Sequence, residues 1–217
     1  MFKELKKKVK GHMELDVSYS LLSTQEESKS LAIMLPGTGY TVLAPFLLYS
    51  TGVFVNNSYD LLQVNYQYNQ EPFTEYSTNE LSEVITYDVR TVLDSVLNER
   101  HYDHFCFIGK SLGTIAMSSE LKRDIFKDAG AIWLTPLLHR DDVMDTMVNG
   151  RHRGLCFIGD QDSIYTNERF QQLKSNPNLM SKLIPGVNHG LTCHDPVDSI
   201  DVLRNVINDI THFVIDA

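Results

Sequence analysis

Phe105–Ala116 reads FCFIGKSLGTIA, and its reading decides the fold. An apolar run, Phe105–Ile108, enters a tight turn, Gly109-Lys110-Ser111-Leu112-Gly113, and a small-residue segment of helical character follows. The order is strand, turn, helix. In a G-x-S-x-G turn the serine occupies a strained backbone position, and the glycines remove side chains that would collide with the adjoining strand and helix. The hydroxyl of Ser111 is then held out at the strand's end. The pentapeptide alone is weak, since at ~7% each for Gly and Ser it arises by chance in roughly one chain of this size in fifteen. An ordinary connection whose serine caps the helix is its bland rival. A phosphate loop would need glycine five positions before Gly109, where His104 stands.

Working outward, other apolar runs have the same form. Leu31–Leu35 (LAIML), Gly130–Leu134 (GAIWL) and Gly154–Ile158 (GLCFI) are continuous, as strands covered on both faces should be. Tyr59–Tyr66 and Leu179–Ile184 read as two more strands. Between them, helical patterns cover about Val42–Val55, Ser77–Asn98, the segment after Ser111 to near Lys127, Asp141–Val148, Thr166–Lys174 and Pro196–Phe213. Partial alternation from Lys8 to Leu22 suggests a paired strand or hairpin, and the polar Thr24–Ser30 a turn. Gln67–Thr78 is the longest irregular stretch. Alternating strands and helices predict an α/β fold, a mostly parallel sheet with helices on both faces and an N-terminal antiparallel strand or hairpin. At 217 residues the chain suits one domain, 1–217.

Composition narrows the function. A formal charge of −9 disfavours a nucleic-acid partner, and no apolar run approaches the length of a membrane span. The lysine cluster Lys3–Lys10 reads as a solvated terminus with no signal-peptide core behind it, so the expected location is cytoplasmic. Cys106 and Cys156 sit in apolar runs with no C-x-x-C spacing to suggest zinc or redox chemistry, and Cys193, close to His189 in sequence, reads as a spectator while Ser111 is available as nucleophile. The reading includes no metal and no cofactor. A homodimer is left open.

Chemistry enters at three strand ends. Ser111 follows the strand 105–108, Asp162 follows 154–158 and His189 follows 179–184. Serine, acid, histidine is a chain order in which a nucleophilic triad occurs on such a sheet. Imidazole, with an ordinary pKa near ~6.5, can take the serine proton and return it to a leaving group. Asp160 rivals Asp162 as the acid, and His194 rivals His189.

At these residues the chain resembles the α/β-hydrolase family, from about Val9 to the carboxyl end. The resemblance rests on IGKSLG at 108–113, GDQD at 159–162, GVNHG at 186–190 and LPGTG at 35–39. It implies a small member without a large cap, because only about 20 residues separate the strands at Gly130 and Gly154. It further implies a serine hydrolase acting on a carboxylic ester or related acyl bond of a small molecule. Ser111 would be the nucleophile, His189 the base and acid, and Asp162 the orienting acid. The backbone N–H groups of Thr38 and Leu112 would form the oxyanion hole, with Gly39 as a substitute for Thr38. Pro36 stands where many relatives have histidine before the glycine. Gly39, Tyr40, Lys110 and Leu137 are pocket candidates, with Trp133; core packing competes for Trp133 and Leu137, and solvent exposure for Lys110. Acyl transfer with the same triad, and small-molecule binding without turnover, are the alternatives.

Overall fold

The computed structural model describes residues 3–23 and 28–216. One eight-stranded sheet runs through it. Its strands are β1 (Lys3–Lys10), β2 (Asp16–Ser23), β3 (Ser30–Leu35), β4 (Asp60–Val64), β5 (His104–Lys110), β6 (Gly130–Leu134), β7 (Gly154–Gly159) and β8 (Leu179–Ile184). They lie in the order β1-β2-β4-β3-β5-β6-β7-β8. From β4 to β8 every pairing is parallel, whereas β1 pairs antiparallel with β2, and β2 with β4.

Six helices connect these strands: α1 (Pro45–Asn56), α2 (Thr78–Glu99), α3 (Gly113–Glu120), α4 (Asp141–Asn149), α5 (Asn167–Leu173) and α6 (Pro196–Ile215). Two apolar layers follow from the strand period. Leu31, Ile33 and Leu35 of β3 pack with α2, α3, α4 and α5, while Ala32 and Met34 face α1 and α6. Burial on both faces explains the unbroken apolar runs of the central strands.

The helix after Ser111 is shorter than its sequence suggests. It stops at Glu120, and a separate 3-10 turn forms at Asp124–Phe126. Glu120 is fully buried between Arg90 and Arg123, and Phe126 turns under the sheet to meet Phe105 and Phe107 edge-on. The lysine-rich start is an edge strand, exposed along most of its length, rather than a loose terminus. Lysines on an outer strand discourage pairing with another sheet edge. Residues 24–27 of the expected Thr24–Ser30 turn lie outside the described residues. Between β6 and β7 the one helix is α4, so no large cap is inserted. Among the described residues no helix is long and apolar enough to cross a membrane.

Candidate active site

Every parallel strand delivers its carboxyl end to the same edge of the sheet, where open α/β sheets place their ligands. The turn after β5 is tight. Ser111 has φ 48°, in the left-handed region, and its N–H donates to Leu134 O at 3.0 Å. α3 begins at once: the N–H groups of Thr114 and Ile115 donate back to the carbonyls of Ser111 and Leu112. That entry requires Gly113, since a β-carbon there would lie 2.2 Å from the carbonyl oxygen of Leu35. The Thr114 hydroxyl also donates to Ser111 O at 2.6 Å. The serine backbone is thus held from the strand side and the helix side.

The structure brings Ser111, His189 and Asp162 into one hydrogen-bonded chain. His189 Nε2 lies 2.9 Å from Ser111 Oγ, and His189 Nδ1 lies 2.8 Å from Asp162 Oδ2. A carboxylate only accepts, so the proton between imidazole and Asp162 belongs on Nδ1. Nε2 then presents its lone pair to the serine hydroxyl. Asp162 is 4% exposed, and its other oxygen accepts from Ile164 N–H at 2.9 Å. Both carboxylate oxygens are therefore engaged.

The rivals lie elsewhere. Asp160 accepts from the N–H of Gly186 at 2.7 Å, bracing the loop that carries His189 without touching its ring. His194 is exposed. Asn188 stiffens the same loop, its side-chain oxygen accepting from the N–H groups of Gly190 and Thr192. Cys193 is half-buried; Cys106 and Cys156 are buried strand residues, and burial pushes the Cys106 thiol up to about 12.

The loop after β3 crosses in front of the nucleophile. A β-carbon on Gly37 would sit 3.2 Å from Ser111 Cβ, so glycine permits the approach. Thr38 and Gly39 are exposed, and Leu112 is buried at the start of α3. Among the described residues, no hydrogen bond engages the N–H of Thr38 or of Leu112. Both remain free to donate, and the positive end of the α3 dipole adds to the same potential. The loop is fixed from behind by the Tyr66 hydroxyl, which donates to Pro36 O. Tyr40 fixes its other end: the Tyr40 N–H donates to Gly37 O at 3.2 Å, and its hydroxyl accepts from Phe46 N–H in the first turn of α1.

Not every pocket candidate faces outward. Leu137 is buried in the core layer of α3 and α4, as is Trp133. Lys110 is only 2% exposed, its ammonium turned inward. Tyr40 is half-buried. Ser111 itself is half-buried. Tyr66, Thr114 and Thr135 were not singled out by the sequence, because an isolated tyrosine or threonine near a strand end carries no local mark of its distant partner.

No protein-family model matches the chain. No curated protein matches it either. Solved structures do. A serine hydrolase without a lid from Xanthomonas campestris superposes with a TM-score of 0.73 at 14% identity, covering 97% of this chain and 93% of that one. The chain has the α/β-hydrolase fold. An esterase from Pyrococcus furiosus gives a TM-score of 0.71 at 13% identity, over 95% of this chain and 91% of that one. An α/β serine hydrolase homologue from Coxiella burnetii gives 0.69 at 12%, over 94% and 96%. At such identities the likeness speaks for the fold, and the chemistry must be argued from this chain's own hydrolase-fold strand ends.

Proposed function

We propose that this chain is a serine hydrolase that cleaves a carboxylic ester or related acyl bond of a small molecule through an acyl-enzyme on Ser111. The observation that carries the reading is the continuous chain from Ser111 Oγ through both imidazole nitrogens to Asp162, with 2.9 and 2.8 Å contacts, at a backbone turn of φ 48°. A serine hydroxyl is a poor nucleophile until a base removes its proton. His189 takes that proton as Ser111 Oγ attacks the acyl carbon, and Asp162 stabilises the imidazolium that results. Negative charge moves to the carbonyl oxygen, which the N–H groups of Thr38 and Leu112 receive, each such donor being worth roughly 3 to 4 kcal/mol. The intermediate collapses, the C–O bond breaks, and His189 returns the proton to the leaving oxygen. Water then attacks the acyl-enzyme by the same steps and releases the acid.

With no large cap between β6 and β7, small or surface-presented acyl groups suit the site. The reading takes residues 1–217 as one domain, since a single sheet runs through the described residues. It takes the cytoplasm as the compartment, which suits three free cysteines, two of them buried.

The test is hydrolysis of a short-chain p-nitrophenyl ester by wild type and Ser111→Ala, with a fluorophosphonate probe located by mass spectrometry. Activity lost in the variant, with the probe on Ser111, supports the reading. Ligand binding without turnover, equally tight in Ser111→Ala, would replace it with a binding protein on the same fold. Product analysis with an added alcohol or amine separates hydrolysis from acyl transfer.

A further inference from the structure

We propose that Lys110 is a positioning residue, a buried cation that holds the loop carrying His189 in register with Ser111; this deepens the hydrolase reading and rests on it. Lys110 ends β5 and directly precedes the nucleophile. The strand period puts its side chain on the same side as Cys106 and Ile108, in the layer beneath α1 and α6. There its ammonium donates to the carbonyl oxygen of His189 at 2.8 Å and to Thr135 Oγ1 at 2.7 Å. It also lies 4.7 Å from the centre of the Tyr40 ring, within range of a cation–π attraction.

One side chain thus joins four strand ends. β5 bears Ser111; the loop after β8 bears His189; the loop after β3 bears Thr38 and Tyr40; Thr135 follows β6. The hydrogen-bond acceptors of its ammonium are a hydroxyl and a backbone carbonyl, not a carboxylate. A buried charge without an ion pair is a poor way to fill space, because an apolar side chain of equal length packs there without desolvation. Thr135 has φ 42°, a costly conformation for a β-branched residue, and its hydroxyl serves as an acceptor for this ammonium. Two unfavourable features meet at one contact, which is the pattern of a maintained site rather than of packing.

The groups facing the ammonium are the His189 loop, Thr135, the Tyr40 ring and, at longer range, the Asp162 carboxylate. Burial lowers the Lys110 pKa to about 8, partly offset by Asp162. Burial raises Tyr40 to about 12, so the tyrosine stays neutral while the lysine titrates. As pH rises through about 8 the ammonium loses its charge, and the two hydrogen bonds lose their charge assistance. The hold on the His189 carbonyl weakens.

The experiment compares full-length wild type with Lys110→Met, which keeps an unbranched stem without the charge. Expected are a kcat lower by roughly 10- to 100-fold and a KM within about twofold, the signature of misplaced reacting groups. The wild-type fall in kcat/KM above about pH 8 should be absent in the variant. Proton NMR supplies a readout that needs no turnover: the hydrogen-bonded His189 Nδ1 proton, sharp and downfield in wild type, should broaden or vanish in Lys110→Met. Wild-type kcat together with an unchanged alkaline limb, or an unchanged Nδ1 signal, would overturn the proposal. Should Lys110→Met not fold, Thr135→Val removes one acceptor and should lower kcat several-fold; no loss there overturns it equally. If wild type neither cleaves esters nor takes the fluorophosphonate, the hydrolase reading fails, and the Nδ1 signal still decides whether Lys110 positions His189.

Discussion

Two buried aspartates sit at opposite ends of the sheet, and they are held in different ways. Asp60, at the amino end of β4, is fully buried and bonded to Arg100 Nη1 at 2.6 Å, the Tyr102 hydroxyl at 3.0 Å and the Ser23 hydroxyl at 3.4 Å. Asp162, beyond the carboxyl end of β7, is as deeply placed, but its charged-state partner is an imidazole whose side chain is 37% exposed. A guanidinium is always charged; an imidazole carries charge only after it takes a proton. The amino end therefore closes its charge permanently, while the carboxyl end keeps one waiting for a cation that chemistry would create. Backbone conformation divides similarly. Met13, Glu14, Ser111, Thr135 and Leu191, five of the six non-glycine residues with positive φ among the described residues, lie at the carboxyl end, and only Ser58 at the amino end.

The largest effect expected from that contrast is at the nucleophile. Ser111→Ala should lower ester hydrolysis by roughly 10⁴- to 10⁶-fold, measured as kcat/KM, while circular dichroism shows an unchanged fold. Asp162→Asn should cost roughly 10³- to 10⁴-fold with little loss of stability, because the imidazole loses its orienting acceptor. Asp60→Asn should do the reverse. Weakening a buried pair costs about 3 to 5 kcal/mol in urea denaturation, with activity per folded molecule preserved. If Asp60→Asn silenced the folded protein as Asp162→Asn does, the division between the two ends would be false.

Much of this was legible in the sequence. β3, β5, β6 and β7 read correctly because burial on both faces demands unbroken apolar runs, a signal no helix contact obscures. The mostly parallel sheet followed from the alternation of elements, and the hydrolase fold from the family resemblance carried by the motifs at strand ends. Lys110 reads as solvent-exposed in the sequence yet is buried, because its ammonium is enclosed by Tyr40, Thr135 and His189, which approach only in the folded sheet. Tyr66 behind Pro36 was hidden for the same reason. The end of α3 carries no local stop signal in the sequence; Glu120 and Phe126, on either side of the break, are both fully buried. Lys3–Lys10 hid a strand, since an outer edge tolerates charges on both faces and shows little alternation.

The next effect concerns stability against pH. Lys110 has a folded pKa of about 8 against an ordinary 10.5, so the unfolded chain binds the proton more tightly. Stability from this group is therefore lowest below about pH 8 and rises as pH climbs towards 10.5. The span corresponds to about 3 kcal/mol. Denaturation of wild type and Lys110→Met across that range should show the difference moving in favour of wild type by up to that amount. Parallel curves would mean that the ammonium is better solvated than its burial implies.

The smallest effect isolates the strain. Ser111→Ala and Ser111→Gly both remove the hydroxyl and its contact with His189, so they differ only in backbone freedom and one methyl group. At φ 48° alanine carries a steric penalty that glycine does not. Glycine also gives up more freedom on folding, which offsets part of the gain. The glycine variant should nonetheless be the more stable by about 1 kcal/mol. Ser58, exposed before β4 with φ 63°, should show the same preference for glycine over alanine. There, however, both variants should keep full activity. Equal stability of alanine and glycine at position 111, with the preference intact at 58, would mean that the serine turn relaxes when its hydroxyl is removed, so that the strain is held in place by the Ser111–His189 contact itself.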